Sequence, residues 1–434
     1  MEKTNVGIVG LGTVGQGVAK LLLDHGDRTA RHAGRTLWLK HAIVRDLSKP
    51  RDVAIPDGVL SDDIERLIND DSVSVVAQLI GGIEPAKTIT LRLLENGKDV
   101  ITANKALLAA HGPELFDRAR ELGRSIAFEA SVAGGIPIIA NVSQCLSANQ
   151  ITSMRAILNG TSNFIISKMD LEGADYDQVL KTAQELGLAE ADPTMDVDGS
   201  DAAQKLAILA HLSFGARVHW SDIPKRGIDN LQACDMAFAK QMGYRVKLIA
   251  YAKLVDEGQG IQLCVGPMLI KAGKPLAEVR ANYNAVSVVG DAVGPVFFHG
   301  QGAGQMPTAS AVVADLIDTA VGRTDLTFKT LELWADGNKR VEFAAPGELE
   351  GRFYMRFNVQ DHPGVLGQVT SLLGAQGISI ASVIQHEVSD STGNNVPLVI
   401  MTHQAKESAA VAAMDQIAKM DTVSDDLERL RILD

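Results

Sequence analysis

The run Asn5-Val6-Gly7-Ile8-Val9 passes straight into Gly10-Leu11-Gly12-Thr13-Val14-Gly15, and the amphipathic pattern VGQGVAKLLLDHG begins inside that loop. A buried strand, a glycine turn and a helix in that order leave few folds open. The glycines permit a tight turn, close approach of a pyrophosphate and close helix–strand packing, with the helix N-terminus facing the anion. Glycine-rich turns are common, so the motif gains its meaning from its neighbours. Four more apolar runs follow: LWLKHAIV, VSVVAQLI, DVITA and SIAFEASV. Between them EPAKTITLRLLENG and PELFDRARELG carry helical periodicity. Alternating β and α predicts a doubly wound parallel sheet with helices on both faces, and a dinucleotide site at its first turn.

Past residue 137 the pattern is mostly helical as far as about residue 245. YRVKLIAYAKL, IQLCVGPMLI and AVSVVGDAVG then read as adjacent antiparallel strands, and PTASAVVADLIDTAV as a helix with proline in its first turn. The polar, glycine-containing stretch ADGNKRVEFAAPGELEG reads as a linker. Beyond it, residues 352–434 give strand, helix, strand, strand, helix, strand, a separate α+β unit. The 434 residues thus divide into a dinucleotide-binding domain (1–135), an α+β substrate and dimerisation domain (136–325) and a C-terminal domain (348–434). A net charge of −12 argues against nucleic-acid or anionic-membrane partners. Cys145, Cys234 and Cys264 lie far apart without metal-ligand spacing, which points to a reduced cytoplasmic protein. The N-terminus enters a strand at once, so no signal peptide is expected, and no run reaches the length of a membrane span.

The second strand ends at Val44 and Arg45 follows. Arginine there suits a ribose 2′-phosphate, whereas an acidic residue suits a free 2′-hydroxyl. Lys49 and Arg51 add positive charge, and Asp46 stands one position on, so NADP is favoured and NAD stays open. Lys105, in Thr102-Ala103-Asn104-Lys105, falls at the carboxyl end of a strand, where such sheets bind ligands. An ordinary surface lysine would have the same spacing. Further on, Glu190, Asp192, Asp196, Asp198 and Asp201 crowd towards Lys205. Ser200 reads as an N-cap, and Asp201 and Lys205 then sit one helical turn apart. Lys205 shares its face with Ile208, Leu209 and Leu212. A lysine on an apolar line, paired with an aspartate, can transfer a proton. The carboxylates upstream would welcome an ammonium-bearing substrate, although a plain helical ion pair satisfies the Asp201–Lys205 spacing equally.

With GLGTVG, GGIEPA, TANK, EASVAGGIPI, LNGTSNFI, GLAEADPTMDVDGSDAAQKLAILA and GQGAGQMPTASAVVADL in place, the chain resembles homoserine dehydrogenases along nearly its full length. The resemblance implies reversible reduction of L-aspartate 4-semialdehyde to L-homoserine with NAD(P)H, on the way to threonine, methionine and isoleucine. It implies that Lys205 is the acid/base lysine, with Asp201 at the reacting end of the substrate and Lys105 facing cofactor and substrate, its own part in proton transfer left open. Glu190 and Asp196 join Asp201 in holding substrate. Gly10, Leu11, Gly12, Thr13, Val14 and Gly15 form the cofactor loop, with Arg45, Lys105, Gly187, Glu190, Gly302 and Gly304 as further cofactor-side positions. A monovalent cation, sodium, is implied at Glu129 and the backbone carbonyls near Val132, Gly134 and Ile136; oxygen-only ligation suits a hard cation. His299 reads as structural.

RFYMRFNVQDHPGVLGQVTSLLGAQGISIASV resembles the first half of an ACT domain. That implies a homodimer or homotetramer and an amino-acid effector, L-threonine, at the Asp361-to-Leu366 loop. Because the catalytic motifs end before Ala320, chemistry is expected not to need the segment from Arg352 onward. Two rivals compete with the enzyme reading. A semialdehyde dehydrogenase acting by thiolate attack would need a nucleophile motif that none of the three cysteines has. A non-catalytic sensor would have no use for Lys205, Asp201 and Glu190. A fused aspartate kinase is not expected from the length.

Overall fold

Runs buried on both faces lose the polar alternation of half-exposed strands, and here they pair side by side in parallel. The strands are β1 (Lys3–Val9), β2 (Thr36–Ile43), β3 (Leu60–Ser61), β4 (Val73–Gln78), β5 (Asp99–Thr102) and β6 (Ile126–Ala127). They form one sheet in the order β3-β2-β1-β4-β5-β6, parallel throughout. The order reverses between β1 and β4, which opens the crevice where doubly wound sheets take ligands. The computed structural model describes residues 2–255, 258–331, 341–344, 347, 349–386 and 395–433. SIAFEASV yields only the two-residue β6, because the chain turns into a short 3-10 helix at Glu129–Ser131.

The chain packs as two units that interleave in sequence. One comprises residues 1–154, 203–223 and 284–341, the other residues 155–202, 224–283 and 342–434. In the first, Val6, Ile8, Val75, Ala77 and Ile101 meet Val18 and Leu22 of helix Thr13–Asp24 and Ala309, Val312 and Leu316 of helix Gln305–Ala320. The late helix therefore completes the core of the early sheet. The two helices approach so closely that a Cβ at Gly17 would lie 2.9 Å from that of Ala309.

Strand β7 (Ile151–Ile157) leads out of the parallel sheet. In the second unit β8 (Tyr244–Val255) and β9 (Gly260–Lys271) pair antiparallel along their whole length, as their short link predicts. Strand β10 (Tyr283–Gly290) does not join β9, as the sequence pattern suggests, but neighbours β11 (Gly294–Gln301).

The C-terminal segment follows the expected βαββαβ order. After β12 (Glu342–Phe343) come β13 (Glu350–Gln360), helix Val365–Ala375, β14 (Ile380–Gln385), β15 (Asn395–Thr402), β16 (Ala405–Lys406), helix Glu407–Ile417 and β17 (Val423–Leu433). Phe353, Met355, Phe357, Val369, Leu373, Leu398, Ile400, Ala413 and Ile417 fill its core. It is not a separate unit. Strand β17 pairs in parallel with β9, Arg431 opposite Met268 and Leu433 opposite Ile270. The stretch read as a linker contributes β12, which also pairs with β9, at Gly260 and Ile261; residues 335–340, 345–346 and 348 of that stretch lie outside the described residues.

A buried ion pair crosses the join. Arg356 on β13 is 1% exposed and Asp235 on helix Ala233–Gln241 is 0% exposed, with Nε 2.7 Å from Oδ1. The Tyr354 hydroxyl donates to the same Asp235 oxygen at 2.7 Å. Burial, and then the Asp235 charge, hold that phenol well above its ordinary range. These contacts make the segment from Arg352 onward part of what stabilises the second unit. Cutting it away uncovers an edge of β9 and leaves Asp235 without Arg356.

Candidate active site

The three loop glycines each do a different physical job. Gly10 has φ +99, a turn conformation that side chains resist. A Cβ at Gly15 would sit 2.0 Å from the Gly10 carbonyl oxygen, so only glycine lets the helix start against the turn. At Gly12 a Cβ would meet nothing within 4 Å, so this side of the loop is open to a ligand. Leu11 is buried, Val14 half-buried and Thr13 exposed. Helix Thr13–Asp24 has no side-chain cap, so its first N–H groups are available to an anion.

After β2, Arg45 is exposed. Asp46 Oδ1 accepts from Ser48 N at 2.9 Å and from Ser48 Oγ at 2.6 Å, and the side-chain bond to Ser48 first of all lowers its pKa. Arg51 donates to the carbonyls of Asp46 at 2.6 Å and Lys49 at 2.7 Å. Asp46 and Arg51 thus shape the loop, whereas the sequence pattern counts Arg51 only as added charge.

At the ends of β4 and β5 a polar knot holds Lys105 in place. The Asn104 side chain accepts from Leu107 N at 3.0 Å, capping helix Lys105–Glu121. Its amide also donates to the carbonyls of Ile80 at 3.0 Å and Gly82 at 2.6 Å. Thr102 Oγ1 donates to the buried Gln78 at 3.2 Å. Lys105 is the first residue of that helix and is half-buried.

The carboxylate-rich stretch is sorted residue by residue. Asp192 accepts from Thr194 N at 3.1 Å and Asp198 from Ser200 N at 2.7 Å, so both stabilise turns. Helix Ser200–Phe214 begins at Ser200 itself, one residue ahead of the expected cap arrangement. Lys225, which the sequence did not single out, lies 2.8 Å from Ser200 Oγ and 3.5 Å from Asp198 Oδ2. The crowding of charge therefore has a local explanation at Asp192 and Asp198. Of the three that remain, Asp196 and Asp201 are held by Asn159. Its Nδ2 donates to Asp196 Oδ1 at 2.7 Å and to Asp201 Oδ2 at 3.0 Å, while its Oδ1 accepts from Ser162 N at 2.8 Å and caps helix Gly160–Glu172. Asp201 is 4% exposed. Lys205, one turn on, is half-buried between buried Gln204 and Leu206, so it keeps a path to solvent or ligand. Glu190 is exposed, and Gly187, with φ +68, turns the loop that carries it.

Glu129 is 6% exposed, and its two carboxylate oxygens accept from Ile139 N and Ala140 N, each at 2.8 Å. Burial pushes its pKa up to about 7. Its own N–H donates to Asp315 Oδ2 at 3.0 Å, and burial followed by the Glu129 charge raises Asp315 well above the carboxylate range. Ile136 O accepts from Ile138 N at 2.7 Å. Among the described residues the carbonyls of Val132 and Gly134 accept no hydrogen bond. Gly134 is pressed against Gly302, since a Cβ on it would sit 2.4 Å from the Gly302 oxygen. Gly304 precedes helix Gln305–Ala320 with φ +121. His299 stacks on Phe297 on the exposed side of β11, ring centroids 6.4 Å apart. Among the described residues no cluster of three or more His, Cys, Asp or Glu is placed to hold a metal.

A doubly wound sheet with an open glycine loop, and a βαββαβ module at the C-terminus, define a dinucleotide-dependent oxidoreductase carrying an ACT domain. Comparison with known proteins narrows this. Residues 137–317 match the family model described as homoserine dehydrogenase, residues 10–129 its NAD binding domain, and residues 353–419 the ACT domain. The homoserine dehydrogenase of a Synechocystis species is 41% identical over 433 residues, 99% of each chain, and that of Bacillus subtilis is 39% identical over 431 residues, 98% of this chain and 97% of the other. A crystal structure of a homoserine dehydrogenase from Thiobacillus denitrificans superposes with a TM-score of 0.91 at 39% identity, covering 100% of this chain and 99% of that one. A hyperthermophilic archaeal homoserine dehydrogenase in complex with NADPH gives 0.60 at 28% identity, covering 73% and 97%. The chain belongs to the homoserine dehydrogenase family.

Proposed function

We propose that the enzyme interconverts L-homoserine and L-aspartate 4-semialdehyde, with Lys205 moving the proton at the substrate oxygen. The observation that carries this reading is helix Ser200–Phe214, which sets Lys205 one turn beyond an Asp201 fixed by Asn159. In the oxidative direction hydride leaves C4 for the nicotinamide. The hydroxyl proton passes to the unprotonated amine of Lys205, and Asp201 sits at the hydroxyl end of the substrate. In reduction the ammonium of Lys205 stabilises the developing alkoxide and returns the proton. Exposed Glu190, with Asp196, takes the α-ammonium of the amino acid. Lys105 serves cofactor and substrate from its helix start. The product feeds threonine, methionine and isoleucine synthesis. Purified protein with homoserine and NADP⁺ should generate reduced nicotinamide, and absence of turnover with either NADP⁺ or NAD⁺ would refute the reading.

Preference for NADP is supported by exposed Arg45 and by the engagement of Asp46 with Ser48. A sodium ion suits the Glu129 loop. Each Glu129 oxygen spends one lone pair on a backbone N–H, and the Val132 and Gly134 carbonyls are unclaimed among the described residues. Substituting tetramethylammonium for sodium at equal ionic strength should lower the melting temperature; no change would refute the site. For the effector, L-threonine at the ACT loop is supported by helix Val365–Ala375, whose N-terminus follows Gly364 without a side-chain cap. A homodimer or homotetramer is supported by the exposed Phe297–His299 pair on edge strand β11. A cytoplasmic location accords with three free cysteines and with the lack, among the described residues, of any helix long and apolar enough to cross a membrane.

A further inference from the structure

In the second unit, where β17 meets β9, a cavity of about 270 Å³ is lined by Lys225, Arg226, Arg429 and Arg431 and by a single carboxylate, Glu407. Its apolar wall is Val265, Pro267, Met268 and Leu349. The size is near the lower end of small-ligand sites, which run from roughly 300 Å³ upward.

The cations are held in position before any ligand arrives. Arg429 pairs with Glu407 Oε1, and Arg431 reaches Glu407 Oε2 at 3.3 Å. The Arg429 guanidinium lies 5.4 Å from the Phe353 ring centroid and that of Arg431 6.0 Å from the Tyr251 ring. Arg226 is fixed from behind by Glu428, 1% exposed, at 2.9 Å, and donates to the Arg429 carbonyl. Lys225 is held by Ser200 and Asp198. Counting Glu407, Glu428 and Asp198 against the four cations leaves an excess of one positive charge (4 − 3). Burial raises the Glu428 carboxyl to about 7, so near neutral pH roughly half of its negative charge is lost and the positive excess grows further. Planar guanidiniums already ordered, an unbalanced positive charge and an apolar wall are what an anionic headgroup with a short carbon chain requires.

We propose that this cavity binds a small aliphatic carboxylate, its charged head on Arg226, Arg429 and Arg431 and its carbon chain on the Val265–Met268 wall. The site is remote in sequence from the ACT loop at Asp361–Leu366. Binding there has a route to the chemistry. Lys225 lines the cavity and also donates to Ser200, the first residue of the helix bearing Asp201 and Lys205. An occupant that draws Lys225 Nζ away from Ser200 disturbs that helix start. This consequence rests on the function proposed above, whereas the binding itself does not.

Titration calorimetry of the full chain with succinate as probe separates the two. Saturable binding is expected in the wild type. Arg431→Gln should weaken it by about tenfold, the scale of one charge-assisted hydrogen bond. Glu407→Gln should tighten it, because the resident competing anion is gone. That gain cannot come from misfolding, and an enzyme inactive towards homoserine would still display it. No saturable heat up to about 20 mM succinate, a range that spans millimolar affinities, would overturn the proposal. So would an affinity unchanged in both variants, or one weakened by Glu407→Gln, since then Glu407 holds the ligand and does not compete with it.

Discussion

Replacing Asp235 by alanine tests whether the C-terminal module is built into the second unit or merely attached to it. The substitution leaves Arg356, 1% exposed, with its Nε unpaired, and removes the acceptor of the Tyr354 hydroxyl. Breaking one partner of a buried ion pair costs about 3–5 kcal/mol. Asp426, whose Oδ2 lies 3.0 Å from Arg356 Nη1, still offsets part of the charge and brings the expectation to the lower end, about 3 kcal/mol. For a unit of roughly 200 residues each kcal/mol moves the melting temperature by about 2–4 °C, so a fall of about 6–12 °C is expected. Differential scanning calorimetry is the assay, because a chain of two units need not melt in one transition. Asp235→Leu combined with Arg356→Met should recover most of the loss, since neither charge is then left buried. A fall below about 2 °C for Asp235→Ala, under one kcal/mol on the same scale, would refute the reasoning. So would a double variant as unstable as the single one.

Three further outcomes follow from named contacts. Arg45→Asp should weaken NADP⁺ far more than NAD⁺ in steady-state kinetics, because the new carboxylate repels a 2′-phosphate; equal losses would remove Arg45 from ribose recognition. Asn159→Ala frees Asp196 and Asp201 from their shared donor and uncaps helix Gly160–Glu172. It should cost about 1–2 kcal/mol in stability for the cap and raise KM for homoserine while KM for cofactor holds; a rise in both would show a general collapse. Glu428 has its pKa raised from 4.5 to about 7, chiefly by burial and against the pull of Arg226. The folded state therefore binds the extra proton between those values, and this group's contribution to stability, full below pH 4.5, is lost as pH rises through about 7. Glu428→Gln should match wild type near pH 4.5 and exceed it above about pH 7, by no more than about 3 kcal/mol. Parallel melting curves for the two proteins across that range would contradict the burial argument.

What could be read from sequence and what could not divide on physical grounds. The parallel sheet was legible because strands buried on both faces are unbroken apolar runs, and the glycine loop because a turn between strand and helix has a fixed spacing. The placement of Asp201 and Lys205 one turn apart on a single helix was legible from their spacing. Asn159, Asn104 and Lys225 were not singled out, because their work is to bond side chains or carbonyls brought near by folding, and such contacts have no period. The Asp235–Arg356 pair joins residues 121 positions apart. The stretch around Glu342 was misjudged for a related reason: composition marks it as polar, but a two-residue strand needs only an unpaired edge, and β9 provides one. Asp192 and Asp198 belong to local turns, so counting charges by proximity in sequence overstated the pull on Lys205.

The central claim is that Lys205 moves the proton in homoserine oxidation, and single-turnover kinetics of Lys205→Met against wild type test it most directly. The account expects the hydride-transfer rate to fall by at least about two orders of magnitude, the scale of general acid–base catalysis, with NADP⁺ affinity nearly unchanged. A variant that transfers hydride at close to the wild-type rate would contradict the assignment and leave Lys105 as the residue to examine.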